Sequence, residues 1–242
     1  MKKITVLFIL IAMLLSTFSV AAAATDDAKL IIVHGLPGAD LALDPTLPVD
    51  VSVNGVCSLQ NLVFGNIAAP MALPAGAYHV AFSPANAAAP CTNAALLEGD
   101  VTLAAYDVYS AVAHLSADNL AVLTFFKEDF SLTKPGKGRL VLHHTAATAG
   151  VDVRISRSPK FKPLFAEYLG VVNGTSVTTE IRPGTWRMAI YPAGMTTALY
   201  GPAKLRFNPK KVYLAYAIGN PTTGTFKVIS KAFALPRFAK KK

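Results

Sequence analysis

Residues 73–85 read Leu-Pro-Ala-Gly-Ala-Tyr-His-Val-Ala-Phe-Ser-Pro-Ala, and residues 181–193 read Ile-Arg-Pro-Gly-Thr-Trp-Arg-Met-Ala-Ile-Tyr-Pro-Ala. Three other segments recur in the same order: Lys29–His34 with Arg139–His144, Val49–Val51 with Val151–Val153, and Val108–Ala113 with Val212–Ala217. The partners lie 102 to 110 residues apart, and self-similarity at a near-constant period indicates an internal repeat. The sequence therefore predicts two repeats of about 105 residues, joined by the Pro/Gly segment 133–137.

Each repeat carries the alternation typical of β-strands. In Val49–Val53 every second residue is apolar, and Asn54-Gly55 behind it is a strong hairpin signal. Tyr109 and Tyr213 hold matching places, which predicts a tyrosine corner in each repeat. No convincing amphipathic helix appears between the turn signals. We therefore predict an all-β chain of two tandem antiparallel immunoglobulin-like β-sandwiches.

The first repeat resembles a family of exported proteins catalogued as domain of unknown function forty-three ninety-seven. The resemblance rests on a strand ending in a histidine, a V-D-V-x-V-N-G segment, an F-G pair, an L-P-A-G-x-Y segment, and V-T-L-A-A followed by a strand with tyrosine. These are His34, Val49–Gly55, Phe64-Gly65, Leu73–Tyr78, and Val101–Ala105 with Tyr109. The second repeat departs from the pattern, because Arg154–Pro159 replaces the Asn-Gly hairpin. The resemblance implies a bacterial, envelope-associated immunoglobulin-like sandwich and brings no catalytic residues.

The first 24 residues have the pattern of a secretory signal peptide. Lys2 and Lys3 precede an apolar run from residue 4 to 15, and four alanines follow at 21–24. The run is shorter than the roughly 20 residues that span a bilayer, so we expect no transmembrane segment in the mature chain. We therefore expect an exported protein of the periplasm or the medium. Cys57 and Cys91 are the only cysteines, and in an oxidising compartment they predict one disulfide.

The two repeats carry opposite charge. Residues 25–133 hold 2 basic and 11 acidic residues, a net charge of −9. Residues 134–242 hold 19 basic and 3 acidic residues, a net charge of +16, and end in a short basic tail from about residue 237. Drift on solvated surfaces is the simplest explanation of this difference. Binding of an anionic partner by the basic repeat is the alternative that leads to a function. Such a partner would be an anionic envelope polymer such as a polysaccharide, lipid head groups, nucleic acid, or the acidic repeat of the same chain or of another copy.

Eight basic residues are the predicted anion contacts: Arg154, Arg157, Lys160, Lys162, Arg182, Arg187, Lys210 and Lys211. They are scattered through strands and loops without a recognition motif or a set of stacking aromatic residues, which argues against nucleic acid as the partner.

The sequence carries no catalytic or metal-binding motif. His34 and His144 end matching strands and are predicted to be hydrogen-bonded structural residues. Adjacent His143 and His144 point to opposite faces of a strand and do not share a metal easily. Glu128 and Asp129 are expected to be solvated. We therefore predict no metal, no cofactor and no enzymatic activity.

Three functions follow in order of preference. The first is a non-enzymatic, envelope-associated binding or structural protein whose basic repeat makes the contact. The second is a self-assembling surface protein in which the acidic repeat of one copy docks on the basic repeat of the next. The third is a hydrolase with a cryptic site built from His34, His114 or His144.

Overall fold

The computed structural model describes residues 26–235. The predicted signal peptide, residues 1–24, and the basic tail from about residue 237 lie outside the described residues. Within 26–235, no helix is long and apolar enough to cross a membrane. Within the same residues, a 3-10 turn at Gly38–Leu41 is the only helical element.

Sixteen β-strands make up the described chain, and we call β1–β8 the first half and β9–β16 the second half. The strands of the first half are β1 Ala28–His34, β2 Val49–Val53, β3 Val56–Leu62, β4 Met71–Leu73, β5 Gly76–Pro84, β6 Leu97–Leu103, β7 Val108–Leu115 and β8 Ala121–Glu128. The strands of the second half are β9 Gly138–Ala146, β10 Gly150–Ser156, β11 Ala166–Val172, β12 Thr175–Ile181, β13 Gly184–Pro192, β14 Tyr200–Phe207, β15 Lys211–Gly219 and β16 Lys227–Ala234.

The two halves have the same strand order. The first half forms the sheets β4-β1-β7-β8 and β3-β2-β5-β6, and the second forms β12-β9-β15-β16 and β11-β10-β13-β14. Every strand of the second half thus takes the place of the strand eight positions earlier. The chain is all-β and forms two sandwich-like units, as predicted. The boundary proposed at residue 133 falls between β8 and β9 and stays a prediction.

One parallel strand pair in each half departs from the purely antiparallel expectation. β1 pairs in parallel with β7, and β9 pairs in parallel with β15. In both halves the first strand inserts between two strands that come later in the chain, and its direction matches that of the seventh. All other pairs are antiparallel.

Three apolar layers separate the four sheets. One core lies within each half, between its two sheets. A third joins the halves, because Ile31, Val33 and Val112 of the first half pack with Val141 and Leu214 of the second. We call β4-β1-β7-β8 and β12-β9-β15-β16 the inner sheets and the other two the outer sheets. Since each buried aliphatic side chain contributes about 1.5–3 kcal/mol, the contact between the inner sheets contributes substantially to the stability of the fold.

The connection after the second strand differs between the halves. Asn54 and Gly55 turn β2 into β3 with φ values of 49° and 76°, which is the hairpin that the sequence predicts. In the second half, residues 157–165 replace this tight turn and carry Arg157, Lys160 and Lys162. The longer connection therefore adds three cations at one edge of the second half.

Candidate functional site

The outer sheet of the second half has a basic exterior. Alternation along β13 and β14 directs Trp186, Met188 and Leu205 into the core, so the residues between them point outward. Arg187 is paired directly opposite Lys204, and Arg206 lies two residues further along β14. The basic face is defined by its four outward cations: Arg154, Arg187, Lys204 and Arg206.

One carboxylate accompanies this face. Glu167 on β11 lies opposite Arg154 on β10 and accepts a hydrogen bond of 2.7 Å from its Nε. This bond is the main reason that the pKa of Arg154 is raised further above its ordinary value. The guanidinium of Arg154 also lies 4.8 Å from the centre of the Tyr191 ring. Arg187 is different, because its Nε is buried without a hydrogen-bond partner.

Six further cations surround the adjacent edge of the second half, where β10, β12 and β14 end. The guanidinium of Arg157 lies 4.6 Å from the ring centre of Trp186 and donates to the carbonyl of Pro183 at 3.2 Å. Four of the others lie in the loops that leave these strands, and Lys211 is the first residue of β15. The basic edge comprises Arg157, Lys160, Lys162, Arg182, Lys210 and Lys211.

The eight predicted anion contacts therefore fall into two adjoining sets, with Arg154 and Arg187 on the basic face and the remaining six on the basic edge. Lys204 and Arg206, both exposed on β14, were not among the predicted anion contacts. The signal was present in Ala203-Lys204-Leu205-Arg206-Phe207, where strict alternation indicates a half-buried strand with two outward cations.

The corresponding surface of the first half is acidic. His79 takes the place of Arg187, and Asp100, opposite it, takes the place of Lys204. His79 Nδ1 lies 2.8 Å from Asp100 Oδ1, and its Nε2 lies 3.5 Å from Glu98 Oε2. The hydrogen bond with Asp100 is the main cause of the raised pKa of His79. The two outer sheets thus present opposite charge from equivalent positions.

The contact between the halves does not use these charged faces. It contains instead a buried polar cluster of Ser110, Glu128, His143 and Tyr216. Ser110 Oγ lies 2.6 Å from Glu128 Oε1 and 2.7 Å from the hydroxyl of Tyr216. His143 Nε2 lies 3.1 Å from the same Glu128 oxygen, and both of these side chains are 1% exposed. The expectation that Glu128 is solvated is wrong, because the second half covers the end of β8.

Two lysines of β16 also reach across this interface, to backbone carbonyls of the first half. Lys231 Nζ donates to the carbonyls of Ile67 and Ala68 at 3.0 and 3.2 Å. Lys227 Nζ donates to the carbonyl of Phe64 and lies 3.8 Å from the centre of its ring. These two lysines therefore contact the first half and stabilise the interface between the halves. Neither belongs to the basic face or the basic edge.

The residues predicted to be structural make local contacts to the backbone. His34 Nε2 lies 2.7 Å from the carbonyl of Leu47, and His144 Nε2 lies 3.0 Å from that of Thr148. The hydroxyls of Tyr109 and Tyr213 each accept a hydrogen bond from the backbone N–H five residues earlier, at 3.3 and 2.7 Å. These contacts connect strand ends to neighbouring loops.

The predicted disulfide is confirmed. Cys57 and Cys91 are joined across 34 residues of sequence, with their Cα atoms 5.6 Å apart. The bond ties the loop after β5 to β3. It exists in the first half alone, because the second half has no cysteine.

A pair of buried aspartates was not singled out from the sequence. Asp50 accepts hydrogen bonds from the backbone N–H groups of Asn61, Asn86 and Cys91 at 3.0, 3.1 and 2.9 Å. At the equivalent place, Asp152 accepts from Gly170 and Gly194 at 2.8 and 2.9 Å. The recurring Val-Asp-Val was the available signal, because an acidic residue repeated inside an apolar strand indicates a buried acceptor.

The three histidines of the hydrolase alternative are buried. His34, His114 and His144 are at most 1% exposed, and burial lowers the pKa of each to about 4. A general base must reach the proton it abstracts, and these rings have no such access. Within residues 26–235, no three His, Cys, Asp or Glu side chains are grouped so that they could hold a metal ion.

Comparison with known families identifies one match. The model of the family described as "Domain of unknown function (DUF4397)" matches residues 28–154, which run from β1 to within β10. The chain belongs to this family.

Similarity to solved structures is remote. A putative cell adhesion protein from Bacteroides uniformis shares 10% identity over 87% of this chain and 100% of that chain, with a TM-score of 0.24. The TIE protein of Bacillus anthracis shares 9% identity over 87% of this chain and 32% of that chain, with a TM-score of 0.21. At these scores the similarity carries no argument about function. No protein with a curated description matches the chain significantly.

Proposed function

We propose that this chain is an exported, non-enzymatic binding protein whose basic face and basic edge contact an anionic polymer of the cell envelope. One observation carries the proposal: on the face formed by Arg187, Lys204 and Arg206, like charges lie opposite and beside one another. Like charges in register repel and destabilise a sheet. An anionic partner that bridges them would remove this cost.

The packing of the halves supports the same proposal. The first half, which lies within the acidic residues 25–133, covers the inner sheet of the second half and leaves the outer sheet uncovered. Lys204 and Arg206 are exposed. The basic face therefore remains open to a partner in the folded chain.

The test measures the salt concentration at which the mature chain elutes from a matrix carrying a sulfated polysaccharide. Lys204→Glu/Arg206→Glu changes the net charge by −4 on the basic face. The control, Lys29→Glu/Lys127→Glu, changes it equally on exposed positions of the first half. Because charge concentrated on one face dominates attraction at short range, we expect the first variant to elute at much lower salt and the control to elute close to wild type. Equal shifts in both variants, or flow-through of the wild type, would overturn the proposal.

A second candidate, head-to-tail self-assembly, is favoured by the opposite charge of the two outer sheets. The surface of His79, Glu98 and Asp100 in one copy would meet that of Arg187 and Lys204 in the next, and such a contact need not close. Sedimentation at low salt distinguishes the candidates. Assembly predicts species larger than a monomer that dissociate with added salt and are absent from the Lys204→Glu/Arg206→Glu variant. A monomer at every salt and protein concentration would exclude it.

A further inference from the structure

The second half contains a cleft that opens into its core. It has a volume of about 300 Å³ and lies between the two sheets, on the side where the edge strands β14 and β16 face each other. Its floor is built by the core residues Leu140, Met188 and Ala215, and its walls include Leu205, Val228 and Ser230.

Side-chain size on β16 explains why the cleft is open. In the first half Phe125 is paired opposite Ala111 and points into the core, and in the second half Ser230 is paired opposite Ala215 at the equivalent position. The Phe125 ring comes so close to β6 that a Cβ on Gly99 would lie 3.2 Å from it. The first half therefore closes this side with an aromatic ring, and the second half does not.

The chemistry of the lining indicates the ligand. Ligand sites in proteins are mostly apolar with a few polar groups that fix orientation, and volumes start near 300 Å³. This cleft is apolar at its floor, and Tyr200 and Ser230 add hydroxyl groups to the lining. Lys204 and Arg206 also belong to the lining and are exposed. An apolar interior next to two exposed cations fits a molecule with an apolar chain and an anionic head.

We propose that this cleft binds a single-chain anionic amphiphile, with the hydrocarbon chain between the sheets and the head beside Lys204 and Arg206. The site goes beyond the polymer contact, because it uses the interior of the sandwich rather than its surface. The two share Lys204 and Arg206, but the cleft also depends on the absence of a ring at position 230. A substitution at that position therefore tests the cleft and leaves the charge of the basic face unchanged.

The experiment uses the only tryptophan of the chain as its reporter. Trp186 is paired opposite Leu205, which lines the cleft, and packs in the same core as Met188. A decanoate brominated at its terminal carbons should quench Trp186 fluorescence saturably in the full mature chain. Ser230→Phe, which restores the aromatic residue of the first half, should weaken this binding at least tenfold. Ala234→Phe, on the same strand and the same side but outside the lining, is the matched control and should bind as wild type does.

Further measurements separate the parts of the proposal. Brominated decanol, which has the chain but no charge, should bind at least fivefold more weakly than the decanoate, and Lys204→Glu/Arg206→Glu should remove this preference. Ser230→Phe should keep wild-type retention on the sulfated matrix, and an unchanged urea unfolding midpoint should report that it is folded. Absence of saturable quenching in wild type, or equal quenching in Ser230→Phe, would overturn the cleft as a site. Equal affinity for decanol and decanoate would overturn the anionic head.

Discussion

The outer sheets of the two halves share a strand order but present opposite charge at equivalent outward positions. The sheet β3-β2-β5-β6 presents His79 opposite Asp100, and the sheet β11-β10-β13-β14 presents Arg187 opposite Lys204. Beneath these pairs the inward residues remain apolar in both sheets. The comparison teaches that the apolar residues facing the core, together with a few buried hydrogen bonds, determine how the sheet folds. The outward positions are therefore free to carry opposite charge. Differences between the halves are therefore the place to look for function.

The largest expected effect is acid destabilisation through the buried histidines. The pKa of His34, His114 and His144 is about 4 in the folded chain, against 6.5 as the ordinary value. A depressed histidine pKa means that the unfolded state binds more protons, so stability is complete above pH 6.5 and is lost as the pH falls toward 4. At pH 5 the loss is about 2 kcal/mol for each histidine.

Urea unfolding at pH 7 and pH 5 measures this loss. Two nearby groups lower these pKa values further: Lys227 lowers the pKa of His34, and His114 lowers the pKa of His144. His79, with its raised pKa, acts in the opposite sense. If the halves are equivalent, His34→Gln and His144→Gln should flatten the pH dependence by similar amounts. An unfolding free energy that does not change between the two pH values would contradict this prediction.

The second effect compares the buried aspartates. Asp50→Ala strands three backbone N–H groups and Asp152→Ala strands two, and each stranded donor costs about 1–3 kcal/mol. We expect losses of about 4 kcal/mol for Asp50→Ala and about 3 kcal/mol for Asp152→Ala, read from chemical denaturation. The Asn variants, which keep one acceptor, should lose less. A larger loss at Asp152 than at Asp50 would break the equivalence of the two sites.

The third effect belongs to the first half alone. Replacing both Cys57 and Cys91 with alanine frees a loop of 34 residues, which should lower the free energy of unfolding by about 3 kcal/mol. Reduction of the wild-type chain should give the same loss, and reductant should not affect the double variant. The prediction fails if wild type unfolds at the same denaturant concentration with and without reductant.

The smallest effect concerns Glu167, the carboxylate on the basic face. Its ion pair with Arg154 is partly exposed, with side chains 34% and 31% accessible, so Glu167→Gln should change stability by less than about 0.5 kcal/mol. The same variant makes the face more basic and should elute later from the sulfated matrix. Earlier elution would show that the basic face does not make the contact.

The sequence predicted the β-sandwiches, because inward alternation and turn residues are local signals. It predicted the disulfide because Cys57 and Cys91 are the only two cysteines. It did not predict that the halves pack together through their inner sheets. A signal existed in Leu30-Ile31-Ile32-Val33, an unbroken apolar run of the kind found in strands covered on both faces. A strand with alternating apolar and polar residues, such as β5, buries only one of its faces.

The cleft and the burial of Glu128 could not be predicted from the sequence, for a different reason. The space around Ser230 depends on how far β14 lies from β16, and the environment of Glu128 depends on which surface the second half covers. Both are properties of packing between elements distant in the chain. The basic face could be predicted in part. Its cations can be identified in the sequence, but the register of β13 with β14 is what places Arg187 opposite Lys204.

The packed inner sheets have a consequence for the order of synthesis. Ile31, Val33 and Val112 are completely buried in the folded chain, yet β15, which helps to cover them, is made about 100 residues after β7. A nascent first half therefore exposes an apolar sheet until the second half has been synthesised. Such a chain needs either a chaperone that binds the exposed sheet or a folding reaction that is slower than chain elongation.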